Sequence, residues 1–205
     1  ENNKITIENF KKVITKKTKI VALTYVSNVL GYISPVKEIT KIAHEYGAIV
    51  ICDGAQAVPH LKVDVKDLDV DFLAFSGHKM LAPTGTGILY GKYKLLNSLK
   101  PVEYGGDMND GVELYGATYK DAPEKFEAGT QNIEGVIAFK EAINYLENIG
   151  MEEVHKHSLE LAKYVVENIK NNDMIELYTK EPESGIVTFN IKGIHPHDTA
   201  TFLAA

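Results

Sequence analysis

The stretch that decides the fold is Phe72-Leu73-Ala74-Phe75-Ser76-Gly77-His78-Lys79, in which an apolar run gives way to small polar residues and a lysine. This pattern predicts a buried strand that ends in a polar loop. The serine hydroxyl and the histidine imidazole can donate hydrogen bonds to an anion, and the lysine amine can condense with an aldehyde. Taken alone, the stretch favours the simpler interpretation of a buried strand followed by a solvated lysine, so a functional assignment needs other residues.

A second polar group follows a second strand. The apolar run Ala48-Ile49-Val50-Ile51-Cys52 ends in Asp53-Gly54-Ala55-Gln56. Open α/β sheets bind ligands at the carboxyl ends of their strands. A carboxylate there can pair with a protonated pyridine nitrogen, and Gln56 could reach a hydroxyl on the same ring. Together with the lysine loop, these residues suggest a site for pyridoxal phosphate.

The order of elements predicts an α/β fold with a mostly parallel sheet. Residues 20–26 read as a buried strand, and a helix that starts at Pro35 and ends at Gly47 leads to the strand before Asp53. This alternation is typical of parallel strands joined by right-handed crossovers. The strand Ile88-Leu89-Tyr90 follows the lysine loop after only a few residues, which favours an antiparallel neighbour.

The rest of the chain is predicted to contain further helices and one long irregular segment. A helix over residues 6–14 is capped by Thr6, whereas the periodicity fades from Leu95 to Lys125. The remaining predictions are helices over 133–148 and 151–171, a strand over 186–191 and the start of a helix over 199–205.

Neither a metal site nor a nucleotide site is predicted. His155 and His157 would diverge by about 200° on a helix. His195-Pro196-His197 has no third ligand nearby and reads as a helix entry capped by Asp198. The glycine-rich stretch from Pro83 to Gly87 lacks the Gly-Lys-Ser/Thr ending of a phosphate loop.

Composition points to an ordinary globular protein of the cytoplasm. The 205 residues are 44% hydrophobic and 24% charged, and the net charge is −6. We expect neither nucleic-acid binding nor membrane insertion, because the chain has no basic cluster with interleaved aromatics and no run of about 18 apolar residues. The single cysteine, Cys52, is predicted to be a buried apolar residue. The 22 basic residues are all lysines, so the chain has no arginine.

Five sequence blocks resemble those of a known family, in the same order and with compatible spacing. They are Ser27–Gly31, Asp53–Ala57, Phe75–Lys79, Pro83–Tyr90 and Phe126–Thr130. The chain resembles the class V aminotransferase superfamily of fold-type I pyridoxal phosphate enzymes. Within it, the match is closest to SUF-type (group II) cysteine desulfurases and selenocysteine lyases, which the Glu-Ala-Gly-Thr block favours.

The resemblance implies a three-layer α/β fold with two parts. Residues 1–147 would form the C-terminal half of the large cofactor-binding domain, with one antiparallel strand in its mostly parallel sheet. Residues 148–205 would form an incomplete α+β small domain.

The resemblance also implies roles for individual residues. Lys79 would hold pyridoxal 5'-phosphate covalently and, once released by substrate, act as the base at the substrate α-carbon. Asp53 would pair with the ring nitrogen and Gln56 with the ring oxygen, while Asn28 would lie near the ring and the substrate carboxylate. Asn28 could equally be a turn residue.

The phosphate would be held from two subunits. Ser76 and His78 would bind it within one subunit, and Thr130 would reach the phosphate of the partner subunit in a homodimer. A loop that only caps the next helix is the alternative for Thr130.

The implied reaction is the conversion of L-cysteine, or selenocysteine, to alanine, with the sulfur passed to an enzyme persulfide for iron–sulfur cluster assembly. A sulfur-acceptor protein is a further implied partner. Family members extend further at both ends. Their ring-stacking histidine would precede Glu1, and their persulfide cysteine and carboxylate-binding arginine would follow Ala205. We therefore expect this chain to be the central portion of a larger enzyme and to be inactive alone.

Two alternatives remain open from the sequence. One is another class V enzyme, kynureninase-like or aminotransferase-like, with the same cofactor residues. The other is a truncated, non-catalytic interaction domain of the same fold.

Overall fold

The computed structural model describes residues 4–205, which form seven α-helices and eight β-strands. The helices are α1 (Ile7–Val13), α2 (Val36–Glu45), α3 (Val65–Leu68), α4 (Tyr93–Ser98), α5 (Ile133–Ile149), α6 (Met151–Ile169) and α7 (Pro196–Leu203). The strands are β1 (Ile20–Thr24), β2 (Ile49–Asp53), β3 (Phe72–Ser76), β4 (Gly87–Gly91), β5 (Asn109–Glu113), β6 (Gly116–Tyr119), β7 (Ile175–Leu177) and β8 (Phe189–Ile191). Two 3₁₀ helices, Gly77–Met80 and Glu124–Phe126, complete the elements.

The main sheet has the order β1-β2-β3-β4. The first three strands are parallel, and β4 pairs antiparallel with β3. The register places Thr24 beside Asp53, Asp53 beside Ala74, and Ser76 beside Gly87. The predicted α/β fold, with a mostly parallel sheet and one antiparallel strand, is confirmed.

One face of this sheet packs on α2. The helix buries Val36, Ile39 and Ala43, which recur at helical spacing. Val50 and Cys52 of β2 and Leu73 of β3 are buried in the core that includes Val36 and Ala43. Alternate residues on these strands, including Ile51, Asp53 and Ala74, are exposed instead, as the two-residue period of a strand requires.

A second apolar cluster joins α5 to the end of β3. Met80, in the 3₁₀ helix after β3, is buried with Phe139, Ala142 and Leu146 of α5. The rings of Phe75 and Phe139 meet edge to face, with their centroids 6.4 Å apart. The turn that carries Lys79 is therefore anchored on a helix of 17 residues.

A buried carboxylate ties the sheet to α2 at the opposite end of β3. Asp71 accepts hydrogen bonds from the Val50 backbone N–H at 2.7 Å and from His44 Nε2 at 2.9 Å. Lys92 Nζ lies 3.0 Å from its other oxygen. Burial alone would raise the pKa of Asp71, but these three donors outweigh it and hold the pKa below the ordinary value of 3.8.

The segment from Leu95 to Lys125 is more regular than the sequence predicted. It contains most of α4 and the antiparallel hairpin β5–β6, whose register shifts between Asn109 and Gly111. Most residues of the hairpin are exposed, so its strands lack the apolar alternation by which a sequence reveals a half-buried strand.

Two predictions near the C-terminus were also imprecise. The strand predicted over 186–191 is restricted to β8, which pairs with the three-residue β7 that the sequence did not reveal. Helix α7 begins at Pro196, and His195 rather than Asp198 caps it, because the His195 ring Nδ1 accepts a hydrogen bond from the His197 N–H at 3.2 Å.

Within residues 4–205, no helix combines the length and the apolar character that crossing a bilayer requires. The same part of the chain contains no group of three His, Cys, Asp or Glu side chains arranged to hold a metal ion.

Candidate active site

Three of the predicted site segments follow the ends of three neighbouring parallel strands. The turn with Asn28 comes after β1, Asp53 ends β2, and Lys79 lies in the 3₁₀ helix after β3. Because β1, β2 and β3 run in the same direction, their carboxyl ends meet at one edge of the sheet. The fold therefore brings these residues together at the edge where open α/β sheets bind ligands.

Asp53 presents a carboxylate at this edge. Its side chain is exposed, and Oδ1 accepts a hydrogen bond from the Ala55 N–H at 2.9 Å. The following residues form a helical turn in which Ala57 and Val58 donate backbone hydrogen bonds to the Gly54 carbonyl, each at 2.9 Å. The turn holds the Asp53 backbone, and the carboxylate oxygens can still accept further hydrogen bonds from a cationic partner.

The turn with Lys79 is held from two sides. On one side, Met80 is buried against α5. On the other, the Gly77 N–H donates to the Thr86 carbonyl at 2.9 Å. A Cβ at Gly77 would lie within 3.0 Å of Thr86 Oγ1, so only glycine allows this close approach.

Lys79 and the two residues predicted to bind phosphate have no competing partners in the described chain. Lys79 is half-buried, and none of the ion pairs among residues 4–205 includes it. Ser76 is half-buried and His78 is exposed. Their donors are therefore available for an anionic ligand.

Gln56 faces a cavity of about 200 Å³, which is also lined by His60, Ser158 and Ser184. Gln56 and His60 lie four residues apart in the turn after β2, so they share one side of it. Burial, with a smaller contribution from nearby His155, lowers the pKa of His60 below its ordinary value of 6.5. His60 is therefore neutral at pH 7 and can act as both donor and acceptor beside Gln56.

Asn28 is exposed at a tight turn. The Ser27 Oγ accepts hydrogen bonds from the Val29 N–H at 3.3 Å and the Leu30 N–H at 3.0 Å, and the Gly31 N–H donates to the Ser27 carbonyl at 3.0 Å. The two interpretations of Asn28, as a turn residue and as a ligand contact, are compatible, because Asn28 is exposed in the turn that follows β1.

Thr130 does not cap α5. Asn132 does so, because its Oδ1 accepts a hydrogen bond from the Gly135 N–H at 3.0 Å. The capping alternative for Thr130 is therefore wrong. Thr130 is exposed beside Gly129, which adopts a φ of +73° and donates its N–H to the Gly106 carbonyl at 2.9 Å.

Cys52 is a structural residue whose thiol is unreactive in this fold. It is fully buried in the core between the sheet and α2. Burial, followed by the charge of neighbouring Asp53, raises its pKa to about 12. It is therefore a packed thiol rather than a nucleophile.

The chemistry of the groups at this sheet edge fits pyridoxal phosphate. Ser76 and His78 offer donors for a phosphate, and Lys79 offers a primary amine. Asp53 is a partner for a basic ring nitrogen one strand away. The sequence did not identify the residues that hold this arrangement, Met80 and Thr86. The glycine-rich stretch 83–87 was the available signal for the second of them.

Comparison with known proteins gives concordant results. Residues 1–205 match the family model for class-V aminotransferases. The chain is 53% identical over 201 residues to a probable cysteine desulfurase of Halalkalibacterium halodurans, covering 98% of this chain and 50% of the relative. It is 51% identical over 203 residues to one of Staphylococcus epidermidis, covering 98% and 49%.

Two solved structures have the same fold. The cysteine desulfurase CsdA of Escherichia coli matches with a TM-score of 0.91 at 36% identity, over 96% of this chain and 49% of that protein. The apo cysteine desulfurase of Thermococcus onnurineus matches with a TM-score of 0.91 at 38% identity, over 99% and 51%. The chain thus spans about half the length of the curated relatives it matches.

Proposed function

Because the chain belongs to the class-V aminotransferase family, we propose that its candidate active site binds pyridoxal 5'-phosphate and that the protein carrying it is a cysteine desulfurase. The observation that carries the proposal is the shared sheet edge. Ser76 ends β3 and is followed by His78 and Lys79, and Asp53 ends the adjacent parallel strand. The similarity to proteins named as probable cysteine desulfurases supports L-cysteine as the substrate.

Each site residue has a role in holding the cofactor. Lys79 Nζ would hold the cofactor through its aldehyde group, and the Asp53 carboxylate would pair with the ring nitrogen. Gln56 would donate to the ring oxygen from the helical turn after β2. Ser76 and His78 would donate charge-assisted hydrogen bonds to the phosphate, because the acceptor is an anion. Asn28 contacts the ring or the substrate carboxylate from the turn after β1.

When bound, pyridoxal phosphate supplies a ring that withdraws electrons from bonds at the substrate α-carbon. The protein contributes proton transfer and orientation. The Lys79 amine would take the proton from the substrate α-carbon as a general base. Ion pairing with Asp53 keeps the ring nitrogen protonated, since an opposite charge nearby favours the charged form.

The overall reaction balances with a protein thiol as the sulfur acceptor. L-cysteine and the thiol give L-alanine and a persulfide: the carbon–sulfur bond breaks, a sulfur–sulfur bond forms, and the thiol proton is retained in the products. Cys52 is unsuited to this role because it is fully buried and has a strongly raised pKa. A thiol other than Cys52 therefore accepts the sulfur.

The proposed assembly is a homodimer in which Thr130 of each subunit reaches the phosphate in the other. Its exposure and the exclusion of the capping alternative support this role. Delivery of the persulfide sulfur to iron–sulfur cluster assembly, through a sulfur-acceptor protein, is the proposed purpose. The reducing cytoplasm is the proposed compartment, since the chain has one cysteine and it is unpaired.

Borohydride trapping tests the cofactor site. The protein carrying this chain is incubated with pyridoxal phosphate, reduced and mapped by peptide mass. We expect one labelled lysine, Lys79, with the label absent in Lys79→Ala and unchanged in the surface control Lys94→Ala. A label spread over surface lysines, with none on Lys79, would reject the assignment.

Product analysis tests the reaction. With L-cysteine and an external thiol, a desulfurase releases alanine and sulfide in equal amounts. An aminotransferase-like relative would instead yield a 2-oxo acid, and only when an amino acceptor is present. A non-catalytic interaction domain would release neither alanine and sulfide nor a 2-oxo acid.

Mixed dimers test the role of Thr130. A Thr130→Ala subunit is combined with a Lys79→Ala subunit. If Thr130 acts across the interface, one site in the heterodimer carries both defects and the other carries neither, so about half of the activity per dimer returns. Verified heterodimers that stay inactive, with both homodimers impaired, contradict the borrowed threonine.

A further inference from the structure

The turn that carries Asn28 exposes three successive backbone carbonyls to the C-terminal region of the chain. The Val29 carbonyl accepts a hydrogen bond from Thr188 Oγ1. The Leu30 carbonyl accepts one from Thr179 Oγ1 at 3.2 Å, and the Gly31 carbonyl accepts one from Ser184 Oγ at 2.7 Å. Three hydroxyls from residues 179–188 thus bind three consecutive peptide groups about 150 residues earlier in the chain.

These contacts supply hydrogen-bond donors for carbonyls that have no donor within the turn. Its N–H groups at Val29, Leu30 and Gly31 are bound to Ser27 within the turn. Among the described residues, its carbonyls at the same three positions have no such internal partner, and Gly31 is buried. A buried carbonyl without a donor is costly, so the Ser184 hydroxyl at the buried Gly31 stabilises this conformation of the turn, and the other two hydroxyls add to it.

The two hydroxyls at Leu30 and Gly31 belong to ordered, buried side chains. Thr179 and Ser184 are 5% and 4% exposed. The Thr179 hydroxyl also accepts the Thr188 N–H at 3.1 Å, which links it to the neighbouring segment of the hairpin β7–β8. Burial and this second hydrogen bond restrict the orientation of the Thr179 hydroxyl.

Close packing reinforces the hydrogen bonds. Gly31 adopts a φ of +71°, and a Cβ built there would lie 2.8 Å from Ile186 Cβ and 2.8 Å from Ser184 Oγ. The Ile33 N–H also donates to Glu183 Oε2 at 2.7 Å. The turn after β1 thus has no room to shift toward residues 183–186.

We propose that Thr179, Ser184 and Thr188 form a hydroxyl clasp that positions Asn28 for ligand binding at the sheet edge. Asn28 itself is exposed, and no hydrogen bond within the described chain orients its side chain. Its placement therefore depends on the backbone of the turn, which the hydroxyl clasp holds. These three are positioning residues that act through Asn28, and the inference rests on the proposed pyridoxal phosphate site.

A double-mutant cycle tests the clasp in the protein carrying this chain, with cofactor affinity as the readout. Pyridoxal phosphate is titrated into the apoprotein and followed by absorbance. Thr179→Val removes the hydroxyl at nearly constant shape, Thr179→Ser retains it, and Ser184→Ala removes the second hydroxyl. Thr201→Val is the matched control, because the Thr201 hydroxyl donates to the His197 carbonyl inside α7.

We expect Thr179→Val and Ser184→Ala each to weaken cofactor affinity about fivefold to tenfold, the effect of one lost hydrogen bond. Thr179→Ser and Thr201→Val should leave it unchanged. In an Asn28→Ala background, the two clasp substitutions should have little further effect, since residues that act through one another are not additive.

Equal weakening in both backgrounds would reduce the clasp to a structural role and overturn the inference. The inference also fails if neither clasp variant weakens cofactor binding, or if Asn28→Ala does not weaken it. In either case the proposed function still stands, provided that borohydride labels Lys79. Failure of the native protein to label at Lys79 would overturn the inference and the proposed function together. If Thr179→Val does not fold, as judged by circular dichroism, Ser184→Ala decides the outcome.

Discussion

Replacing the buried carboxylate of Asp71 should cost a large part of the stability of the protein. Its side chain is 8% exposed and binds three donors, the Val50 N–H, His44 Nε2 and Lys92 Nζ, at 2.7 to 3.0 Å. In Asp71→Asn, an amide oxygen in the place of Oδ2 still accepts from the Val50 N–H and His44 Nε2, but both hydrogen bonds lose the negative charge of their acceptor, and the amide NH₂ in the place of Oδ1 cannot accept from Lys92. The lost Lys92 bond, at about 1.5 kcal/mol, and the weakening of the other two by about half each give an expected loss of about 3 kcal/mol.

Asp69→Asn is the matched control. Asp69 pairs with the same lysine, Lys92, at 2.8 Å, but its side chain is 64% exposed. Exposed pairs are screened by solvent, so the expected loss is below about 1 kcal/mol. Asparagine also tolerates the left-handed backbone at this position, where φ is +54°.

Urea unfolding followed by circular dichroism measures both variants. The midpoint should fall much further for Asp71→Asn than for Asp69→Asn, with the slope of free energy against urea unchanged. Equal, small shifts for the two variants would refute the reasoning, because they would show that burial adds nothing to the Asp71 interactions.

The pH dependence provides a second check. Three donors outweigh burial and hold the pKa of Asp71 below 3.8 in the folded protein. A group whose pKa is lowered by folding contributes stability that is fully present above its unfolded pKa and is lost as the pH falls through its folded pKa. The stability difference between the native protein and Asp71→Asn should therefore be constant near neutral pH and shrink below about pH 3.8. A difference that grows on acidification would contradict this sign.

Three further predictions concern the candidate site. Gly77→Ala places a Cβ within 3.0 Å of a threonine oxygen, so it should destabilise the protein by about 2 kcal/mol and weaken cofactor binding in titrations. Gly106→Ala should do neither, because a Cβ at Gly106 would have no atom within 4 Å. Asp53→Ala should weaken cofactor binding and alter the absorption spectrum of the bound cofactor more than Gln56→Ala, because a charged partner is lost rather than a neutral one; the reverse order would remove Asp53 from its role. Cys52 should resist iodoacetamide in the native protein, because it is fully buried and because burial, with the charge of Asp53, raises its pKa to about 12. Mass spectrometry should show labelling only after denaturation, and rapid labelling of the native protein would contradict its placement in the core.

The local sequence determined the main sheet and the polar residues at its edge. Apolar runs that end in Asp53 and in Ser76-Gly77-His78-Lys79 predicted the strands β2 and β3, and the helix between Pro35 and Gly47 predicted a parallel crossover from β1 to β2. This worked because periodicity and strand ends are properties of a few consecutive residues. The brief connection to β4 predicted its antiparallel direction for the same reason.

Only the tertiary structure decided what supports those residues. The hairpin β5–β6 is mostly exposed, so no apolar pattern marked it, and β7 is three residues long. Thr130 and Asn132 are both residue types that cap helices, so the sequence could not choose between them. The backbone geometry at the start of α5 decided for Asn132. The hydroxyls of Thr179 and Ser184 meet their carbonyls across 149 and 153 residues of chain. A serine or threonine carries no local mark of a partner so distant, because its hydroxyl can bind any nearby carbonyl, and only the packing of the C-terminal region against the turn after β1 selects which one.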